Sequence, residues 1–326
     1  MNNLRAWAQL VRVPNTLTSC ADVLAGMSVG GGFAHHYLVY PWAAILGSCA
    51  SIALYWAGMV LNDVFDIEQD RQQGRPGPLV TGKISIDSAR KWGIALLILG
   101  VICSALGPFA MTRSADNAPS ESSLSLWLAV PGLIGVALAA AIYAYDGPCK
   151  KSWFAPWIMG ICRGLNMSLG IALVAAVIPV ALGPASAAVV IGHVLYISGV
   201  TIAARREADL HQSRSRLIAG WTICALGASS IAFSTSWEPT RPLRLEPHWV
   251  FPLMIAILML PLGRRVLDAM RTLQPQRLGM AIRQAILSVL FLDAAIALQF
   301  SGDLPGIVIC LMVLPTLLLS RWFRST

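Results

Sequence analysis

Apolar stretches long enough to cross a lipid bilayer recur along the whole chain. About 20 apolar residues in a helix span the hydrocarbon core. Stretches of that kind fall at 16–34, 42–62, 92–111, 125–145, 155–180, 184–206, 216–235, 248–268, 281–300 and 304–321, separated by polar or basic residues. The pattern predicts an all-α, polytopic transmembrane helix bundle of nine to ten spans. No separate soluble domain and no internal repeat interrupts it, so residues 1–326 read as one integral-membrane domain. The segment before the first stretch holds Arg5, Trp7, Leu10 and Arg12. It lacks the compact basic–apolar–cleavage layout of a secretory signal and reads as mature protein.

Composition agrees with the pattern. The chain is 56% apolar and only 12% charged, with a mean hydropathy of +0.66. Soluble domains carry roughly 25% charged residues, so a water-soluble enzyme and a disordered chain are both excluded. The net charge of +8 is explained by where the basic residues fall. Taking alternate connections, twenty Lys and Arg lie on one side, against Arg113, Arg241 and Arg244 on the other, with Arg163 inside a span. Loops rich in Lys and Arg stay cytoplasmic, which puts both termini there and favours an even span number. The excess charge then faces anionic lipid and argues for no nucleic-acid partner. A multi-pass chain without a transit-peptide pattern fits a bacterial inner membrane. The seven cysteines are scattered with no CxxC pair and read as small core residues.

Acidic residues interrupt this picture at one place. The segment Trp56–Asp70 reads WAGMVLNDVFDIEQD. On a helix turning about 100° per residue, Asn62, Asp63, Asp66 and Asp70 share one stripe, whereas Glu68 points the opposite way. Three carboxylates on one stripe repel one another unless something positive lies between them. Hard oxygen ligands at a span's end suit Mg²⁺, which bridges one or two carboxylates to substrate phosphates. The competing reading is a solvated helix end whose acids pair with Arg71 and Arg75.

A basic constellation lies further on. The fourth span ends YAYDGPCKK, and the fifth contains MGICRGLNMSLG. Arg163 and Asn166 are three apart and share a helix face. An arginine inside a span needs a partner; a diphosphate would serve through fork geometry, and so would an acid on another helix. Lys150 and Lys151 sit at the same mouth, either as phosphate ligands or as ordinary interfacial anchors.

These residues carry a resemblance. NDxxDxxxD at the end of a second span resembles the first aspartate-rich motif of the UbiA superfamily of intramembrane prenyltransferases. LVRVPNTLTSCADVLAG (Leu10–Gly26) is similar to the family's first helix, with Arg12, Pro14 and Asn15 at its start, and RPGPLVTGKIS (Arg75–Ser85) to its RPLxxGxIS loop. Aligned on Gly82, the family's arginine position holds Gly77, and the nearest arginine is Arg75. YDxxxK followed by RGLN resembles the subset associated with ebo-type gene clusters.

The resemblance implies a UbiA-type fold and Mg²⁺-dependent transfer of a prenyl group from a prenyl diphosphate to a small, electron-rich, usually aromatic acceptor. It implies Asp63, Asp66 and Asp70 as metal ligands, with Asp63 and Asp66 catalytic. Asn15, Asn62, Arg75, Lys150, Lys151, Arg163, Asn166 and Tyr196 become candidate substrate-binding residues. The family's second DxxxD motif is missing: its place reads YISGVTIAARREADLHQSR (Tyr196–Arg214). Glu207 shares a helix face with His193 and Tyr196 and is the expected surviving ligand or base, with Arg205 or Arg206 replacing part of the cation's charge. Equally, Glu207 could merely pair with a neighbouring arginine. A secondary transporter and a non-catalytic membrane component remain as alternatives. Asp22 and Asp293, within spans one and nine, are expected either to hold an ion or proton or to be protonated groups in helix–helix hydrogen bonds.

Overall fold

The computed structural model describes residues 2–34, 37–38, 41–109, 121–176, 182–205, 213–238 and 244–324. Among them are thirteen α-helices and one short hairpin. In chain order the helices are α1 (Asn2–Leu10), α2 (Thr16–Val29), α3 (Pro41–Phe65), α4 (Ile67–Gln72), α5 (Ile86–Leu106), α6 (Glu121–Asp146) and α7 (Ala155–Ala175). They continue with α8 (Pro184–Ala204), α9 (Arg214–Ala232), α10 (Val250–Thr272), α11 (Pro275–Ser301), α12 (Asp303–Leu311) and α13 (Val313–Arg324). Strands β1 (Phe33–Ala34) and β2 (Tyr37–Leu38) pair antiparallel between α2 and α3.

Among the described residues, each of the ten apolar stretches contains helix, and seven helices are long and apolar enough to cross a membrane: α3, α5, the Trp127–Asp146 part of α6, α7, α8, α10 and α11. The remaining three predicted spans fall short for separate reasons. The first is only 14 residues long as α2, α9 is less apolar, and the last breaks into α12 and α13. The basic stretch Arg264–Arg283, which could have been an interfacial segment, is the end of one spanning helix and the start of the next. Leu273 takes a left-handed conformation (φ 53°) that stops α10, and Pro275 opens α11 at its first position, where its missing N–H costs nothing.

Successive helices pack side by side from α2 and α3 round to α11, and α2 closes the ring by packing on α11. Helix α7 reaches across to α2. Burial follows this arrangement: 67% of the most apolar window of α11 is buried and 61% of that of α7, against 17% for α6 and α10. The outer helices therefore present large apolar residues such as Ile98, Leu133 and Ile257 outward, as a lipid-facing surface requires.

With no water to expel between helices in a bilayer, close approach of small residues holds spans together. Gly192 and Gly199 of α8 face Gly227 and Gly220 of α9: a Cβ on Gly192 would lie 2.9 Å from the Gly227 carbonyl oxygen, and one on Gly220 would lie 2.8 Å from that of Gly199. The α2–α7 crossing uses the same device at Gly26 and Gly170, where a Cβ on Gly170 would lie 2.9 Å from the Met27 nitrogen. That crossing puts the start of α2 and the middle of α7 beside the middle of α3, one to three turns before the acidic stripe.

Candidate active site

The stripe survives a break in its helix. Helix α3 ends at Phe65 and α4 starts at Ile67, with Asp66 between them. The Asp66 amide still donates to the Asn62 carbonyl (3.0 Å) and the Asp70 amide to the Asp66 carbonyl (2.9 Å). The four-residue ladder is kept, and Asn62, Asp66 and Asp70 remain stacked.

Each aspartate of the stripe faces one cation, brought from a different part of the chain. Arg12, just before α2, donates to Asp63 (3.2 Å). Lys150, in the turn after α6, forms an ion pair with Asp66. Arg75, in the loop before α5, lies 3.6 Å from Asp70. Arg12 makes its approach from a left-handed backbone (φ 51°), a conformation unusual for a residue with a side chain. Glu68 turns away to Arg71 (2.9 Å), as the angular count predicts.

A fourth carboxylate joins them. Asn62 donates from Nδ2 to Asp146 at the end of α6 (2.9 Å). Asp146 is buried, and its second oxygen has no hydrogen-bond partner. Neither Arg12 nor Asp146 was given a site role from the sequence, although both carried a signal. Asp146 stands four residues before Lys150 in YDxxxK, and Arg12 opens the motif that runs into Asn15.

Behind Asp146 lies a cavity of about 150 Å³ between α2, α3, α6 and α7. Tyr55, Met59, Ile142 and Tyr145 line it on its way to Arg163 and Asn166. Arg163 has an acid of its own: its Nε is 2.8 Å from Asp22, and its Nη2 donates to the Thr18 carbonyl (2.8 Å). Asn166 donates to the Ser19 carbonyl and to Asp22, each at 2.8 Å. Of the two readings open for Arg163, an acid on another helix is the one found.

The other candidates are placed elsewhere. Tyr196 is fully buried among α8, α9 and α11 and donates its hydroxyl to the Ala285 carbonyl (3.0 Å), apart from the stripe. Asn15, hydrogen-bonded to Tyr55 of the site's cavity, also lines a separate cavity of about 440 Å³ with Arg265, Arg283 and Gln284. The Lys151 side chain is exposed. Arg205 donates to the Lys151 and Ser152 carbonyls and so braces the turn that presents Lys150. Glu207, Arg206 and Asp209 lie outside the described residues.

The cluster thus brings together four carboxylates and three cations at the mouth of an apolar cavity. The surplus carboxylate, the unpartnered buried oxygen of Asp146 and the all-oxygen donor set fit a hard divalent cation such as Mg²⁺. The same cations are of the type that takes phosphate.

Comparison with known proteins agrees with this architecture. The model of the UbiA prenyltransferase family matches residues 23–272. A digeranylgeranylglyceryl phosphate synthase of Ignicoccus hospitalis is 29% identical over 170 residues, covering 51% of this chain and 54% of that protein. A second, of Sulfurisphaera tokodaii, is 30% identical over 149 residues, covering 44% and 52%. The chain therefore spans about half the length of the curated relatives it matches. In three dimensions, a digeranylgeranylglyceryl phosphate synthase structure superposes with a TM-score of 0.61 at 19% identity, covering 93% of this chain and 99% of that one. A UbiA homologue from Archaeoglobus fulgidus, solved with GPP and Mg²⁺ bound, gives 0.54 at 14% identity, covering 87% and 99%. With the family model matched over three quarters of its length and the fold shared almost end to end, the chain belongs to the UbiA prenyltransferase family.

Proposed function

We propose that this protein transfers a prenyl group from a prenyl diphosphate to a lipophilic acceptor within the membrane, as one domain over residues 1–326. The observation that carries the proposal is the array at the end of α3, where Arg12, Arg75 and Lys150 converge on the aspartate stripe at the mouth of an apolar cavity.

Asp63, Asp66 and Asp70 would hold Mg²⁺, the ion bound with GPP in the Archaeoglobus fulgidus homologue. When bound, it would supply Lewis-acid stabilisation of the departing diphosphate. Lys150, Arg12 and Arg75 hold fixed positive charge where negative charge develops on that leaving group. Asn62, oriented by Asp146, fixes the edge of the stripe. The prenyl chain enters the cavity behind Asp146, where largely apolar walls that include Tyr55 and Tyr145 shield an allylic cation from water. Arg163 and Asn166, tied to Asp22, shape the far end of that cavity.

The acceptor is of the glyceryl phosphate type, for which the curated relatives are named, or of the aromatic type implied by the sequence resemblance. The Lys/Arg-rich end and both termini face the cytoplasm in this proposal. The matched relatives are archaeal, so the bacterial inner membrane expected from sequence reduces to a multi-pass membrane location.

The test is pyrophosphate release in nanodiscs from geranylgeranyl diphosphate, with both acceptor types offered, with and without Mg²⁺. Release that needs Mg²⁺ and disappears in the Asp63→Asn, Asp66→Asn double variant is expected. Release unaffected by that variant would overturn the assignment of the stripe.

A further inference from the structure

A second convergence of ligand-type side chains lies inside the bundle, distinct from the stripe. Asp22 of α2, His193 of α8 and Asp293 of α11 offer ligand atoms that all lie within 4.8 Å of one another. All three are buried, with relative exposures of 0%, 2% and 0%.

The hydrogen bonds around the cluster determine what its inward atoms can do. His193 Nδ1 is 3.0 Å from the Val189 carbonyl oxygen. A carbonyl only accepts, so Nδ1 carries the hydrogen and Nε2 of the neutral ring presents a lone pair. That lone pair is 2.9 Å from Asp293 Oδ1, which is also an acceptor when ionised. Asp22 spends one oxygen, Oδ2, on Asn166 and Arg163. Its Oδ1 and the Oδ2 of Asp293 are buried with no hydrogen-bond partner. With both carboxylates ionised and the ring neutral, the inward atoms are lone pairs from three helices.

We propose that Asp22, His193 and Asp293 form a structural site for a divalent transition-metal ion, of the Zn²⁺ or Mn²⁺ class, that ties α2, α8 and α11 together. One imidazole nitrogen with two carboxylates is a ligand set for such ions, whereas Mg²⁺ sites are built from oxygen. Arg163, paired to Asp22 at 2.8 Å, lies at the edge of the cavity, so two carboxylates, this guanidinium and a divalent ion sum to +1. The 2.9 Å between Nε2 and Oδ1 is the spacing of neighbouring ligand atoms at about 90° round an octahedral ion bonded at about 2.1 Å, which suits Mn²⁺; tetrahedral Zn²⁺ would open it to about 3.4 Å. The surroundings are those of a metal site: the histidine's other nitrogen is held by a backbone carbonyl, and a ligand carboxylate is held by an amide and a guanidinium. A proton shared within the cluster bridges only one pair of lone pairs at a time, whereas an ion at the centre engages all three groups. Full burial leaves no position for substrate, which makes the role structural. Through Asp22 the ion would also hold Arg163 and Asn166 at the end of the prenyl cavity.

The experiment is elemental analysis of the full-length protein, purified without chelator from cells grown with Zn²⁺ and Mn²⁺ supplied, together with its melting temperature. About one equivalent of Zn²⁺ or Mn²⁺ per chain is expected. It should be retained by the Asp63→Asn, Asp66→Asn variant and lost, with a lowered melting temperature, in His193→Gln and Asp293→Asn. Folded wild-type protein without bound Zn²⁺ or Mn²⁺ overturns the site in favour of shared protons. Equal metal content in a folded His193→Gln protein overturns it in favour of binding elsewhere. None of these readouts depends on prenyl transfer, so the site and the proposed activity stand or fall separately.

Discussion

The hydrogen bond from Asn62 to Asp146 offers the sharpest test of how the stripe is held. The Asp146 carboxyl is 3% exposed, accepts from Asn62 Nδ2 at 2.9 Å on one oxygen, and has no partner on the other. Truncating Asn62 to Ala removes that donor from a buried carboxylate. A hydrogen bond to a charged group contributes about 1.5–3 kcal/mol. At about 1.4 kcal/mol per factor of ten, the loss in kcat/KM for the prenyl diphosphate should be about 10- to 100-fold if the pair orients the stripe in the transition state. Asp146→Ala should lose a similar factor, because the two side chains act as a unit. The double variant should then lose no more than the worse single variant, giving a coupling energy about as large as one single effect. The assay is Mg²⁺-dependent pyrophosphate release in nanodiscs, with size exclusion and melting as checks on folding. Losses that multiply in the double variant would refute the reasoning, since Asn62 and Asp146 would then act independently.

Lys150→Met should lower kcat for diphosphate release by about 100-fold through loss of fixed charge at the leaving group, while stability changes by less than about 1 kcal/mol because the ion pair with Asp66 is partly solvated. An unchanged kcat would remove Lys150 from the chemistry. Gly170→Ala should lower the melting temperature by several degrees, because a Cβ there would meet the Met27 nitrogen at 2.9 Å and overpacking costs about 1–3 kcal/mol; an unchanged melt would mean the α2–α7 crossing adapts freely. Tyr196→Phe should cost about 1 kcal/mol of stability, the value of one buried hydrogen bond, with KM for the prenyl diphosphate unchanged. A raised KM would bring this tyrosine back into the substrate site.

What could be read directly from the chain was whatever depends on neighbours a few residues apart. The membrane class and the helical stretches follow from apolar runs, because a helix in lipid satisfies its own backbone and needs only length and hydropathy. The stacking of Asn62, Asp66 and Asp70, and the turning away of Glu68 toward Arg71, follow from the turn angle of one helix. The charges that meet the stripe were different. Arg12 is 51 residues from Asp63 and Lys150 is 84 from Asp66, so no local period links them, and the sequence offered Arg71 as readily as Lys150. Arg163 shows the same limit: its own helix puts Asn166 beside it, but only the α2–α7 crossing at Gly26 and Gly170 brings Asp22 to its guanidinium. The angular count that grouped Glu207 with His193 and Tyr196 reaches a residue outside the described ones, and for His193 and Tyr196 it was silent on what packs against them. There α11 supplies a backbone carbonyl to one and Asp293 to the other. Periodicity along a helix determined which side chains travel together; the crossing of helices, set by where glycines let backbones touch, decided which of them meet.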